Sequence, residues 1–125
     1  MDSFKIGNTE FGVGGVRLSM DNNRIDLEIN GDENTFDQVT GEDTSEWSWA
    51  LYPPKIYFKG IPYEGKRIVI DEACLNQYEI ALYLMEHNDF TGTLEIKDKV
   101  IHVSGIVDMM GKVLPVSINV ERSKE

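Results

Sequence analysis

Between Ile25 and Pro54 the chain has no lysine and no arginine. The same thirty residues carry eight carboxylates: Asp26, Glu28, Asp32, Glu33, Asp37, Glu42, Asp43 and Glu46. The other 95 residues are nearly balanced, with 14 acids against 12 bases, so this stretch sets most of the net charge of −10. A second base-free window, Ile68 to Ile96, holds six more acids. A field of one sign attracts cations or a basic surface and repels nucleic acid. Nucleic-acid binding is therefore disfavoured, and a basic protein partner is favoured.

Other absences narrow the class. There is one cysteine, Cys74. It can form no internal disulfide and fits a reducing compartment, with the cytoplasm as the expectation. No apolar run approaches the length of a membrane helix, and the opening MDSFKIGNTE lacks the apolar core of a secretion signal. With 41% hydrophobic residues in 125, the chain can bury one core but not two, so residues 1–125 read as a single domain.

What is present is alternation. Val16, Leu18 and Met20 alternate with Arg17 and Ser19, and Ile25, Leu27 and Ile29 alternate with Asp26 and Glu28. With Asp21-Asn22-Asn23 between them, the two runs predict a β-hairpin whose aliphatics face inward and whose acids face solvent. Glu46 to Tyr52, Lys55 to Lys59 and Arg67 to Ile70 read as further strands, separated by Pro53-Pro54 and by a connection at 60–65. Thr91 to Ile96, Val100 to Val107 and Val113 to Glu121 read as a C-terminal antiparallel meander. Residues 71–87 satisfy both periods, and we favour a strand from about Tyr78 after one helical turn. Gly31 to Ser45 shows neither period and reads as a long loop, with Phe36 and Val39 as its apolar tethers. The expected fold is all-β, a single antiparallel sandwich or barrel-like domain; a longer helix near 71–87 would make it α+β.

No motif for catalysis or metal binding survives inspection. Phe11-Gly-Val-Gly-Gly-Val16 resembles a phosphate loop only superficially, because β alternation rather than a helix follows it. Its glycines fit a bulge or a close backbone approach. His87 and His102, with Glu86 and Asp89, form the one constellation resembling a metal or acid–base site, and it lacks ligand spacing. His102 falls on the solvent side of its strand's alternation. Asp32, Asn34 and Asp37 lack the ligand pattern of a calcium loop. The acids around Cys74 disfavour a nucleophilic thiolate. No metal or cofactor is expected.

Six of the twelve aromatics lie between Trp47 and Tyr63. Placed on one face they would make an anchor or a pocket wall; placed inward, a core. The sequence thus predicts a non-enzymatic acidic binding protein that neutralises a basic partner, of the inhibitor or immunity type for a cationic nuclease-like toxin. Asp32, Glu33, Asp37, Glu42, Asp43, Glu46 and Trp47 are the expected contact residues. A small-molecule-binding barrel or sandwich walled by the Trp47–Tyr63 aromatics is the second expectation. A hydrolase or metal enzyme using His87 and His102 is the third.

Overall fold

In the computed structural model, residues 2–40, 53–65, 67–83, 89–97, 100–109 and 111–121 are described. They form, in chain order, β1 (Ser3–Ile6), β2 (Thr9–Glu10), β3 (Val13–Asp21), β4 (Arg24–Gly31), α1 (Glu33–Thr40) and β5 (Lys55–Pro62). β6 (Ile68–Ile70), α2 (Glu72–Gln77), β7 (Glu79–Tyr83), β8 (Asp89–Lys97), β9 (Val100–Met109) and β10 (Lys112–Glu121) follow. Two antiparallel sheets result, one six-stranded in the order β2-β1-β10-β9-β8-β6 and one four-stranded in the order β3-β4-β5-β7. They pack as a sandwich and, among the described residues, do not close into a barrel.

The alternation decides which side chains lie between the sheets. Ile25, Leu27 and Ile29 of β4 are buried against Ile56, Phe58 and Leu82 of β5 and β7, and against Phe90, Leu94, Ile101, Val103 and Ile118 of the other sheet. Arg17 and Asp26 are exposed and Glu28 is half-buried. The β3–β4 turn has Asn22 and Asn23 at φ 52° and 62°. Positive φ at both central residues is the backbone of a two-residue hairpin, which asparagine tolerates. Val16 and Leu18 are only half-buried, and Met20 is 50% exposed. Among the described residues β3 is an edge strand, so its inward side chains have described packing neighbours on one flank only.

The segment at 71–83 resolves as one short helix followed by a strand. Asp71 caps α2, its carboxylate accepting from the Cys74 amide at 3.1 Å, and β7 then pairs with β5. The C-terminal meander β8-β9-β10 is in continuous register from Asp89–Asp108 to Val120–Ile101. The glycines after Phe11 mark a register shift between Val13 and Gly15, where a Cβ on Gly14 would lie 2.6 Å from the Gly31 carbonyl oxygen. A bulge with close backbone approach is the outcome.

Three expectations require correction. Residues 33–40, expected as loop, are the helix α1. Its apolar content is low, and what fixes it is a cap and an anchor. The Asp32 carboxylate accepts from the Thr35 amide at 2.9 Å and from its hydroxyl at 2.8 Å, and Phe36 is inserted into the core. The connection expected at 60–65 begins later, because β5 continues through Gly60 to Pro62. β1 and β2 are additional strands. Phe4 and Ile6 are fully buried, and β1 pairs with β10 from the far end of the chain. The strand expected at 46–52 lies outside the described residues.

Candidate functional site

β4 and β5 are hydrogen-bonded neighbours, with Asn30 paired to Lys55. The Gly31 amide also donates to the Pro54 carbonyl at 2.7 Å. Two residues suffice to connect such a pair. Here the chain instead leaves after Gly31 and returns at Pro54, and all six acids between those two points are unaccompanied by a base.

α1 is the first part of that excursion. Asp32 is committed to the cap, and the two bonds from Thr35 hold its carboxyl below the ordinary aspartate range. Its own amide lies 3.4 Å from the Phe11 carbonyl oxygen and 3.3 Å from that of Gly12, which ties the helix to the β2–β3 corner. Phe36, 6% exposed, pins the opposite side. Glu33 and Asp37 are exposed and four residues apart, so they project one turn from each other on a common face. Of the seven contact residues expected from sequence, Asp32, Glu33 and Asp37 are thus brought together at the base of the excursion. Glu42, Asp43, Glu46 and Trp47 lie outside the described residues.

The aromatic group is divided by the pleat. Phe58 points into the core, Tyr57 points outward, and Tyr63 is half-buried with its hydroxyl donating to the Ile96 carbonyl at 3.2 Å. These three do not form one wall. His102 stands on the outer face of the six-stranded sheet, in register with Asn119 and Glu95, with Nδ1 hydrogen-bonded to the Asn119 side chain. His87 lies outside the described residues. Among the described residues no three His, Cys, Asp or Glu side chains are placed to share a metal ion. Cys74 is half-buried, its thiol 3.5 Å from the Val69 carbonyl oxygen.

A feature that sequence reasoning missed lies on the outer face of the four-stranded sheet. A groove of about 500 Å³ runs across β3, β4 and β5, lined by Arg17, Ser19, Asp26, Glu28, Tyr57 and Lys59. Its shape comes from a bulge. The β4–β5 register shifts between Ile25 and Leu27, so that Lys59 and Gly60 both oppose Asp26. Asp26 Oδ1 accepts the freed Gly60 amide at 2.7 Å, and Gly60 takes φ +68°. Bulges re-aim side chains. Lys59 sits over the Tyr57 ring, 5.8 Å from its centroid, with its ammonium 3.7 Å from Glu79. Glu28 pairs with Lys55 at 3.3 Å and accepts from Asn30 at 3.1 Å. The Asn30 bond, above all, holds its carboxyl below the ordinary glutamate range; burial opposes it as the next largest effect, and Lys55 and the charge of Arg17 add smaller lowering contributions.

No protein-family model, curated protein or solved structure matches this chain.

Proposed function

We propose that this protein is a non-enzymatic binding protein whose acidic excursion neutralises a basic partner protein, as an inhibitor or immunity protein neutralises a cationic nuclease-like toxin. The observation that carries the reading is the excursion itself. Six carboxylates and no base are placed between two backbone points that bond directly to each other. Concentrated charge on a rigid base raises encounter rates with an oppositely charged surface by about 10- to 1,000-fold at low salt. Glu33 and Asp37 face solvent at its root, with Glu42, Asp43 and Glu46 further along the chain. Trp47 follows these acids and is the proposed anchor, since buried aromatics carry much of the energy of such contacts. The reading places the protein in a reducing compartment such as the cytoplasm, which suits a lone cysteine.

The test is a variant with Glu33→Gln, Asp37→Asn, Glu42→Gln and Asp43→Asn, used to capture partners from the source cell beside the unchanged protein. Asp32 is left intact because it caps α1. The captured basic protein should associate more slowly with the variant, and the salt dependence of its association rate should flatten. An unchanged rate and salt dependence would remove the excursion from the interface.

A further inference from the structure

The groove across β3, β4 and β5 contains two charges of opposite sign, Arg17 and Asp26, that no ion pair among the described residues holds, and Arg17 acts on Glu28 through its charge alone. Lys59 has Glu79, and Glu28 has Lys55 and Asn30. Arg17, exposed on the edge strand, has no hydrogen bond or ion pair within 4 Å among the described residues. Asp26, also exposed, holds the Gly60 amide through Oδ1 and no other hydrogen bond or ion pair among the described residues. Arg17 is directly opposite Glu28, and Asp26 is directly opposite Ser19. Arg17 and Asp26 are therefore diagonal neighbours, with Cα atoms ~7–8 Å apart. The small Ser19 beside them leaves space above the sheet, and Tyr57 borders that space from β5.

This arrangement specifies a ligand by charge. An anion alone would meet Asp26 and Glu28 on a molecule of net charge −10, and a cation alone would meet Arg17 and Lys59. A ligand with both charges a few ångströms apart can meet Arg17 and Asp26 together. The guanidinium takes a carboxylate with two parallel donors, and the remaining Asp26 oxygen takes an ammonium. The volume lies within the range of small-ligand sites. We propose that this groove binds a free α-amino-acid-type zwitterion, its carboxylate on Arg17, its ammonium on Asp26 and its side chain against Tyr57. None of these residues belongs to the stretch between Gly31 and Pro54, and the proposal does not depend on the partner-binding reading.

L-Phenylalanine is the probe, titrated to millimolar concentration into isotope-labelled protein while amide resonances are followed by NMR. The Ser19, Asp26 and Lys59 amides should move and saturate. N-Acetyl-L-phenylalanine lacks the ammonium and L-phenylalaninamide lacks the carboxylate, and each should bind about tenfold or more weakly, the loss of one charged contact. Arg17→Gln and Asp26→Asn should weaken L-phenylalanine similarly while leaving resonances outside the groove in place. Asn at position 26 retains an acceptor for the Gly60 amide, so the bulge is kept. Absence of saturable shifts, equal binding of either one-charge analogue, or unchanged binding by both folded variants would overturn the proposal.

Discussion

Phe58 of β5 and Phe90 of β8 meet edge to face across the two sheets, their centroids 6.2 Å apart and their planes at 77°. Both are fully buried, and each belongs to a different sheet, so the pair joins the layers at the centre of the core. Either truncation to Ala should cost about 3–5 kcal/mol, from lost transfer energy and the cavity left behind. The double variant should recover about 0.5–1.5 kcal/mol of that as coupling. Urea unfolding of the four proteins in a double-mutant cycle measures it. Strict additivity would mean that the rings merely share a core.

Close backbone approach beside Phe90 explains a pair of facing glycines. Gly92 and Gly105 are opposite each other on β8 and β9, and a Cβ on Gly105 would collide with the Thr91 carbonyl oxygen and lie 2.7 Å from the Gly92 Cα. It would also lie 3.0 Å from the edge of the Phe90 ring. Backbone cannot yield as a flexible side chain can, so Gly105→Ala should destabilise by about 1–3 kcal/mol or more. Ile106→Ala, next to it but 48% exposed, should cost less. Denaturant midpoints for the two variants provide the comparison.

The two helix caps predict an acid limb. Asp32 is held below its ordinary value of 3.8 by bonds from Thr35, and Asp71 likewise by the Cys74 amide. A lowered folded-state pKa means that these caps stabilise the fold above the ordinary value. The stabilisation is lost as pH falls through the still lower folded values. Asp32→Ala and Asp71→Ala should therefore melt below the unchanged protein at neutral pH. The difference should shrink below about pH 4, where the unfolded-state carboxyls become protonated. Melting curves from neutral pH into acid follow the convergence. A difference that stays constant into acid would assign the caps a role independent of charge.

Faces were legible from sequence wherever one side of a strand had to be buried. Ile25, Leu27 and Ile29 allow one register only, because a slip of one residue would bury Asp26 and Glu28. The same logic separated inward Ile101 and Val103 from outward His102. Helix α1 was not legible, because its determinants are a cap that resembles turn composition and one phenylalanine whose destination is tertiary. The strands β1 and β2 are too short to show a period. The groove depends on β5 lying beside β4 and on a bulge at Lys59-Gly60, and the long excursion between those strands hides their adjacency in the sequence. The diagonal placement of Arg17 and Asp26 exists only once the strand pairing is known.

Phe36 gives the last prediction, because it couples the acidic excursion to the core. It is 6% exposed and, among the described side chains of α1, is the one that belongs to the buried cluster, while Glu33 and Asp37 face solvent. A short helix in water is marginal alone, so α1 persists through its cap and this anchor. Phe36→Ala should cost about 3 kcal/mol or more globally. Its local effect should be larger than its global one. The α1 amides should exchange with solvent much faster, while the β8–β10 meander keeps its protection relative to the new global stability. Phe36→Leu, which retains an apolar anchor, should restore most of the α1 protection. Hydrogen exchange on the three proteins separates the outcomes. If α1 protection falls only in proportion to global stability, the helix is held by the remainder of the excursion and Phe36 is simply one more core residue.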